Sequence, residues 1–124
     1  MKLLHAHNSP YGRRALLAAR FSGLKIQELD VSKDPEARST LVAAGPSAKI
    51  PGLLLDDGTC LCETLIIGRH IDALAPNKLT DNSPAQLEIE GIASVLMDAI
   101  YKRSKERLAE DGVPSPTVLK TETD

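Results

Sequence analysis

The chain has 124 residues, 26% of them charged, with a formal net charge of -2 and only 2% aromatic residues. It therefore lacks the basic surface and the stacking rings on which nucleic-acid binding depends. Its apolar runs are shorter than the ~18 residues that span a membrane, and Leu3-Leu4 is too short for the core of a secretion signal. We expect a cytoplasmic protein with neither a nucleic-acid nor a membrane partner.

The first half of the chain predicts two strand–helix units. Ser9-Pro10 indicates a helix start, because serine is a favoured N-cap and proline suits the first helical turn. Asp34-Pro35 repeats this pattern, and Gly23 is a typical helix end. The elements are expected at residues 2–6 (strand), 11–21 (helix), 25–31 (strand) and 35–43 (helix).

The next stretch predicts a hairpin and a third helix. Asp56-Asp57-Gly58 is typical of a tight turn between two strands. Ile67 and Ile71 have the i, i+4 spacing of a buried helix face. The strands are expected at 53–55 and 59–62 and the helix at 63–74. The order over residues 1–76 is therefore βαβαββα, an α/β fold.

Beyond a polar linker at 76–82, the pattern changes to helix alone. Ser83 to Gln86 is a capping box with proline at the first helical position, and the helix that it opens is expected to reach about residue 109. Ser115-Pro116 indicates one more helix start, with only eight residues after it. We therefore expect residues 83–124 to form part of an all-α domain, in a chain that is apparently truncated.

The residue types that bind metals do not form a metal-site pattern. Cys60 and Cys62 lie two residues apart, which places both on one side of a strand and favours reduced thiols in the core. His5, His7 and His70 lack the spacing of a ligand set. We expect no metal.

Four stretches in order resemble the N-terminal domain of cytosolic glutathione transferases over residues 1–75. The resemblance implies a thioredoxin-like domain that binds glutathione as co-substrate. It also implies conjugation of glutathione to a hydrophobic electrophile, as in detoxification, and a homodimer formed through the third helix and the long helix. The stretches are Asn8-Ser9-Pro10-Tyr11-Gly12-Arg13-Arg14, Ala44-Gly45-Pro46-Ser47-Ala48-Lys49-Ile50-Pro51, Asp56-Asp57-Gly58-Thr59 and Cys62-Glu63-Thr64-Leu65-Ile66-Ile67.

The resemblance also implies roles for individual residues. The Ile50-Pro51 bond would be cis, and the Ile50 backbone would pair with the cysteinyl unit of glutathione in the manner of a β-strand. Thr64, at a helix N-terminus, would hold the γ-glutamyl carboxylate, and Glu63 would hold the ammonium. The alternatives are a core isoleucine before a turn proline and a simple helix cap.

Ser9 is the candidate catalytic residue, since its hydroxyl could donate to the glutathione sulfur and favour the thiolate. The alternative is that Ser9 is only an N-cap, and the two roles are compatible. His7 and Asn8 remain open as the sulfur partner. Lys33 and Lys49 are candidates for binding the glycine carboxylate, with a solvated surface position as the alternative for each.

Three positions depart from the family pattern. Gly45-Pro46 stands where Asn-Pro is usual, Thr64 replaces the commoner serine, and Ala48 stands where glycine is frequent. If that last position requires positive φ, Ala48 is strained. Two other functions stay open: a transferase-like interaction or assembly module, and a glutathione-dependent thiol reductase or peroxidase. The thiol reductase is disfavoured because no cysteine lies in residues 9–12.

Overall fold

The computed structural model describes residues 1–107 of the chain. The chain divides into two compact units, residues 1–81 and a second unit that begins at Asn82. The elements in chain order are β1 (Lys2–His5), α1 (Pro10–Phe21), β2 (Gln27–Asp30), α2 (Pro35–Ala44), β3 (Gly52–Leu54), β4 (Cys60–Cys62), α3 (Thr64–Leu74) and α4 (Pro84–Arg107).

The first unit is built on a four-stranded mixed sheet with the strand order β2-β1-β3-β4. Strand β1 pairs parallel with β2 and antiparallel with β3, and β3 pairs antiparallel with β4. The parallel pair is joined through α1, whereas β3 and β4 are joined by a short hairpin, as each kind of pairing requires. This confirms the predicted thioredoxin-like βαβαββα fold.

Helices α1 and α2 begin at the predicted N-caps. Ser9 Oγ accepts the Gly12 N–H at 3.2 Å, and Asp34 Oδ1 accepts the N–H groups of Glu36 and Ala37 at 2.9 and 3.2 Å. These bonds satisfy donors that have no partner within the helix. Gly23 follows the end of α1 with φ of +77°, the left-handed conformation that glycine adopts most easily.

The strands of the hairpin differ from the prediction by one residue each: β3 is Gly52–Leu54 instead of 53–55, and β4 is Cys60–Cys62 instead of 59–62. Leu55 is part of the turn, because its N–H donates to the Thr59 carbonyl at 2.8 Å and its own carbonyl accepts the Gly58 N–H at 3.1 Å. Gly58 has φ of +89°, and Asp57 Oδ1 accepts the Thr59 N–H at 2.8 Å. The turn therefore includes Leu55 and Thr59 as well as the predicted residues 56–58, and β3 begins at Gly52.

The sheet has two covered faces. The helix-pair face is the one against which α1 and α3 pack, with Leu3, Leu53 and Ile71 among its fully buried side chains. The α2 face is the opposite one, with Leu4 and Leu41 buried against each other. Leu3 and Leu4 enter different clusters because successive side chains of a strand point to opposite faces.

The second unit contains α4. Its first turn is capped as predicted, since Ser83 Oγ accepts the Gln86 N–H at 3.3 Å. The helix is described to Arg107, and the predicted helix start at Ser115-Pro116 lies outside the described residues. Within residues 1–107 no helix is both long enough and apolar enough to cross a membrane.

Candidate functional site

The register of the sheet brings four chain segments to one edge. The ends of β1 and β2 coincide there, because His5 is paired with Asp30. Gly52, the first residue of β3, is paired with Leu4 on one side and with Cys62, the last residue of β4, on the other. The segments that follow β1, β2 and β4 and the segment that precedes β3 therefore share this edge, which we call the ligand edge.

Every candidate site residue from the sequence lies in one of these four segments. Along the edge, the segment after β2 comes first, then those at β1, β3 and β4. The candidates in that order are Lys33 after β2; Ser9 after β1; Lys49, Ile50 and Pro51 before β3; and Glu63 and Thr64 after β4.

Ser9 is half-buried at the start of α1. Its Oγ accepts the Gly12 N–H, its backbone N–H donates to the Ala6 carbonyl at 3.1 Å, and its carbonyl accepts the Arg13 N–H at 2.9 Å. Because Oγ is the acceptor in the cap, the hydroxyl hydrogen is not consumed by it. Ser9 can therefore serve as the N-cap and still donate to a ligand.

The two alternatives for the sulfur partner, His7 and Asn8, are both exposed. The backbone of this loop is held by α1, since Arg13 Nε donates to the His7 carbonyl at 2.7 Å. His7 Nε2 lies 3.9 Å from Asp30 Oδ2, so the imidazole faces the end of β2. The contacts of His7 are directed along the sheet edge toward β2.

His5, on β1, is 2% exposed and lies edge-to-face with the His7 ring, with 5.1 Å between the ring centroids. Burial is the largest influence on its pKa and lowers it, which outweighs the opposing attraction of Asp30. His5 is thus a buried neutral imidazole beneath the ligand edge.

The loop before β3 contains the expected cis bond, between Ile50 and Pro51. Pro51 is buried, and the half-buried Ile50 side chain packs against the α2-face cluster. Ala48 has φ of +52°, which confirms the expected strain at a position where glycine would be favoured.

The start of α3 has an unusual backbone. Glu63 has φ of +76° and ψ of 128°, and its carboxylate caps the helix by accepting the Leu65 N–H at 3.0 Å. Thr64 is the first helical residue and is 5% exposed. A non-glycine residue at positive φ costs free energy that structures tolerate mainly where function constrains the backbone. The sequence offered a helix cap here as the alternative to ligand binding but carried no signal for this conformation.

Lys33 and Lys49 are both exposed. The Lys33 backbone N–H donates to the Asp30 carbonyl at 3.0 Å, in the turn that leaves β2. The Lys49 N–H donates to Ser47 Oγ at 3.4 Å. These bonds fix the two backbones at the ligand edge, where both side chains are exposed.

Neither cysteine lies at the start of α1, where the thiol reductase alternative predicts a redox thiol. Cys60 and Cys62 are free, half-buried thiols on β4. Burial, the largest influence, raises the pKa of the Cys60 thiol, which disfavours the nucleophilic thiolate. Among residues 1–107 there is also no group of three His, Cys, Asp or Glu side chains placed to hold a metal ion.

Sequence reasoning gave no role to Gly12, in the first turn of α1. A Cβ at this position would lie 2.8 Å from the Ala6 carbonyl oxygen and 3.4 Å from the Ser9 Cβ. Only glycine allows the turn that carries Ser9 to lie this close to the end of β1. The sequence feature that could have identified Gly12 is a glycine in the first turn of a helix, where helix propensity disfavours glycine.

Comparison with known proteins agrees with this geometry. The sequence model of the family described as "Glutathione S-transferase, N-terminal domain" matches residues 3–79. The chain is 38% identical over 76 residues to probable glutathione S-transferase BZ2 of Zea mays, a match that covers 60% of this chain and 32% of the maize protein.

Solved structures extend the likeness. A glutathione S-transferase from Methylobacillus flagellatus KT, with glutathione bound, superposes with a TM-score of 0.83 at 25% identity, covering 98% of this chain and 62% of that one. A glutathione transferase family member from Pseudomonas fluorescens Pf-5, with bound glutathione, gives a TM-score of 0.72 at 25% identity, covering 98% and 63%. The chain thus spans about a third of the maize relative and about three fifths of these structures. The chain therefore belongs to the glutathione S-transferase family, through its N-terminal domain.

Proposed function

We propose that this chain binds glutathione along the ligand edge, stabilises its thiolate through Ser9, and transfers it to a hydrophobic electrophile. The observation that carries the proposal is the sheet register, which aligns the four candidate segments at one edge. The glutathione bound to the Methylobacillus and Pseudomonas proteins supports the choice of ligand.

The order of the segments matches the order of the chemical groups in glutathione. Thr64 follows β4, Ile50 precedes β3 and Ser9 follows β1, so they lie at three adjacent strands. Two strand spacings amount to roughly 10 Å, a distance that an extended γ-glutamyl-cysteinyl unit can span from its γ-glutamyl α-carbon to its thiol. The γ-glutamyl group would lie at Thr64, the cysteinyl backbone at Ile50 and the sulfur near Ser9. The glycine carboxylate would then extend toward Lys33 or Lys49.

The start of α3 suits the γ-glutamyl end. Unpaired N–H groups and the helix dipole favour an anion at Thr64. Glu63 uses Oε2 to cap the helix, and a carboxylate has further acceptor sites for an ammonium donor. The carboxylate and the ammonium of the γ-glutamyl group share one α-carbon, and the adjacent residues Thr64 and Glu63 would bind them.

Ser9 is proposed to act on sulfur ionisation. A free thiol has a pKa of about 8.5, and each unit by which that pKa is lowered requires about 1.4 kcal/mol of preferential thiolate stabilisation. One hydrogen bond to a charged group contributes roughly 1.5–3 kcal/mol. The hydroxyl hydrogen of Ser9, together with the positive end of α1, is therefore sufficient in scale to make the bound thiol reactive near neutral pH.

The test is calorimetric titration of glutathione into the chain, with Thr64→Ala and Ser9→Ala alongside. Thr64→Ala is expected to weaken binding by at least about ten-fold, because the γ-glutamyl carboxylate loses a hydrogen bond. Ser9→Ala is expected to keep most of the affinity and to raise the pKa of the bound thiol, followed through thiolate ultraviolet absorbance. Ser39→Ala is the matched control, because Ser39 is an exposed serine of α2 whose hydroxyl donates to the Pro35 carbonyl at 3.0 Å.

Two outcomes would overturn the proposal. The first is a chain that is folded by circular dichroism and binds no glutathione, which would favour an interaction or assembly module. The second is saturable binding with the same thiol pKa in Ser9→Ala as in the unaltered chain, which would reassign the sulfur partner to His7 or Asn8.

A further inference from the structure

The loop that carries Ile50 is attached to α2 through one side chain. Leu41 lies in the last turn of α2, is 1% exposed, and its carbonyl accepts the Gly45 N–H at 2.8 Å. Gly45 begins the loop, and Gly52 ends it as the first residue of β3. Leu41 thus lies between the two ends of the segment 45–52.

Both ends of this loop lack a Cβ where Leu41 approaches. A Cβ on Gly52 would lie 2.8 Å from Leu41 Cδ1 and 3.4 Å from Cys60 Sγ. A Cβ on Gly45 would lie 2.7 Å from the Leu41 carbonyl oxygen and 3.3 Å from its Cδ1. The two glycines therefore form a notch that the Leu41 side chain fills.

The cluster around Leu41 also includes the Ile50 side chain. Leu4, Ala37 and Leu41 are its buried members, and Ile50 is one of the half-buried residues packed against them. The Ile50 backbone is thus fixed by a side chain packed on the Leu41 cluster and by loop ends that close on Leu41 itself. Because interiors are tightly packed, displacement of Leu41 is transmitted to its neighbours.

We infer that Leu41, seated between Gly45 and Gly52, is a positioning residue that couples α2 to the backbone orientation of Ile50 and hence to glutathione binding. The identity of the ligand, glutathione, rests on the proposed function. The coupling between Leu41 and Ile50 rests on the packing alone. Leu41 does not touch glutathione in this account. It holds in position the Ile50 backbone that is proposed to pair with glutathione.

An alanine substitution at Gly52 and one at Gly45 are expected to respond differently to a shorter side chain at residue 41. At Gly52 the closest atom is a side-chain tip, so shortening residue 41 creates the missing space. At Gly45 the closest atom is a backbone oxygen, which no change of the Leu41 side chain removes. The difference allows the notch to be tested by compensation.

The experiment measures glutathione affinity by calorimetry for Gly52→Ala and Gly45→Ala, each alone and combined with Leu41→Val. Gly52→Ala is expected to weaken binding by about ten-fold, and Leu41→Val, which has no Cδ atoms, is expected to restore most of that loss. Gly45→Ala is expected to weaken binding with no recovery on adding Leu41→Val. Gly68→Ala, on α3, is the matched control, because a Cβ there meets nothing within 4 Å.

Amide hydrogen exchange of the free protein provides a readout that does not depend on glutathione. Gly52→Ala is expected to speed exchange in residues 41–52 together, to leave α1 unchanged, and to lose this effect in the double variant. Leu41→Val alone gives the same test in a milder variant, with faster exchange in 41–52. Should the unaltered chain bind no glutathione, the proposed function fails and exchange alone decides this inference.

The inference is overturned if Gly52→Ala keeps both the affinity and the exchange rates of the unaltered chain. It is also overturned if Leu41→Val rescues Gly45→Ala as well as it rescues Gly52→Ala, because recovery would then be unrelated to the notch. A drop in melting temperature with unchanged affinity and unchanged local exchange would show a structural role only, and would overturn it too.

Discussion

The two faces of the sheet differ in size and in what they border. The helix-pair face contains seven buried residues from four elements, and the α2 face contains three from two. The half-buried residues that pack on the α2 face include Ile50, at the ligand edge. Stability therefore rests mostly on the helix-pair face, whereas the α2 face borders the loop that we propose binds glutathione. The buried residues are Leu3, Ala15, Leu16, Ala19, Leu53, Ile67 and Ile71 on the helix-pair face, and Leu4, Ala37 and Leu41 on the α2 face.

The largest effect is expected from a cavity in the helix-pair face. Ile71→Ala removes a fully buried side chain of α3 and should lower the free energy of unfolding by about 3 kcal/mol, as buried Ile-to-Ala changes typically do. Urea denaturation followed by circular dichroism measures it. Glutathione affinity of the folded fraction should stay within about two-fold. An affinity loss as large as that of Gly52→Ala would break the division between the faces.

A gain in stability is expected from a change in the loop before β3. Ala48→Gly replaces an alanine with φ of +52° and should raise the free energy of unfolding by about 1 kcal/mol, because glycine adopts the left-handed conformation without the Cβ clash. Thermal and urea unfolding measure the change. Ala43→Gly, in the regular part of α2, is the control and should destabilise instead. A loss of stability in Ala48→Gly would show that its backbone is not strained.

The smallest expected effect is the pH dependence of stability that His5 causes. His5 lies two residues after Leu3 on β1 and therefore points toward the helix-pair face. Burial lowers the pKa of His5 in the folded chain, with Asp30, His7, Glu28 and Arg20 as its charged neighbours. The unfolded chain takes up a proton near pH 6.5 and the folded chain only at lower pH, so stability falls as the pH drops below about 6.5.

His5→Gln, which cannot be protonated, should flatten the decline of melting temperature between about pH 7 and pH 5. His70→Gln, at a half-buried histidine of α3, is the control for the loss of an imidazole. A decline of equal slope in His5→Gln would assign the pH dependence to other groups. The carboxylates with lowered pKa, such as Asp72 beside the Leu79 N–H, lose their contribution only in more acidic solution.

Local signals in the sequence predicted the element order and the helix starts. Ser9, Asp34 and Ser83 are N-caps whose bonds involve only the next few residues, so sequence pattern alone is sufficient to find them. Gly23 and Gly58 likewise have the positive φ that their turns require. The strand ends were less accurate: the strand predicted at 25–31 is Gln27–Asp30, because pairing with β1 sets its limits.

What the sequence could not provide were contacts between distant residues. The closeness of Gly12 to Ala6 and of Gly52 to Leu41 depends on how helices pack against the sheet. The positive φ of Glu63 likewise follows from the path that the chain takes from β4 into α3. Candidate residues for the site therefore came from the family resemblance of four short stretches, whereas the features that position them depend on the folded structure.

The hairpin turn at residues 55–59 has a consequence at the opposite end of the sheet. Since β3 is only Gly52–Leu54 and is hydrogen-bonded on both sides, the turn sets which residue of β4 stands opposite Gly52. An insertion or deletion of one residue there would shift Glu63 and Thr64 relative to Ile50 by about one residue length, near 3.3 Å, and would reverse which β4 side chains face the core. In sequence libraries, this turn should therefore resist changes in length, and among its exposed residues Gly58 should resist substitution because its positive φ favours glycine.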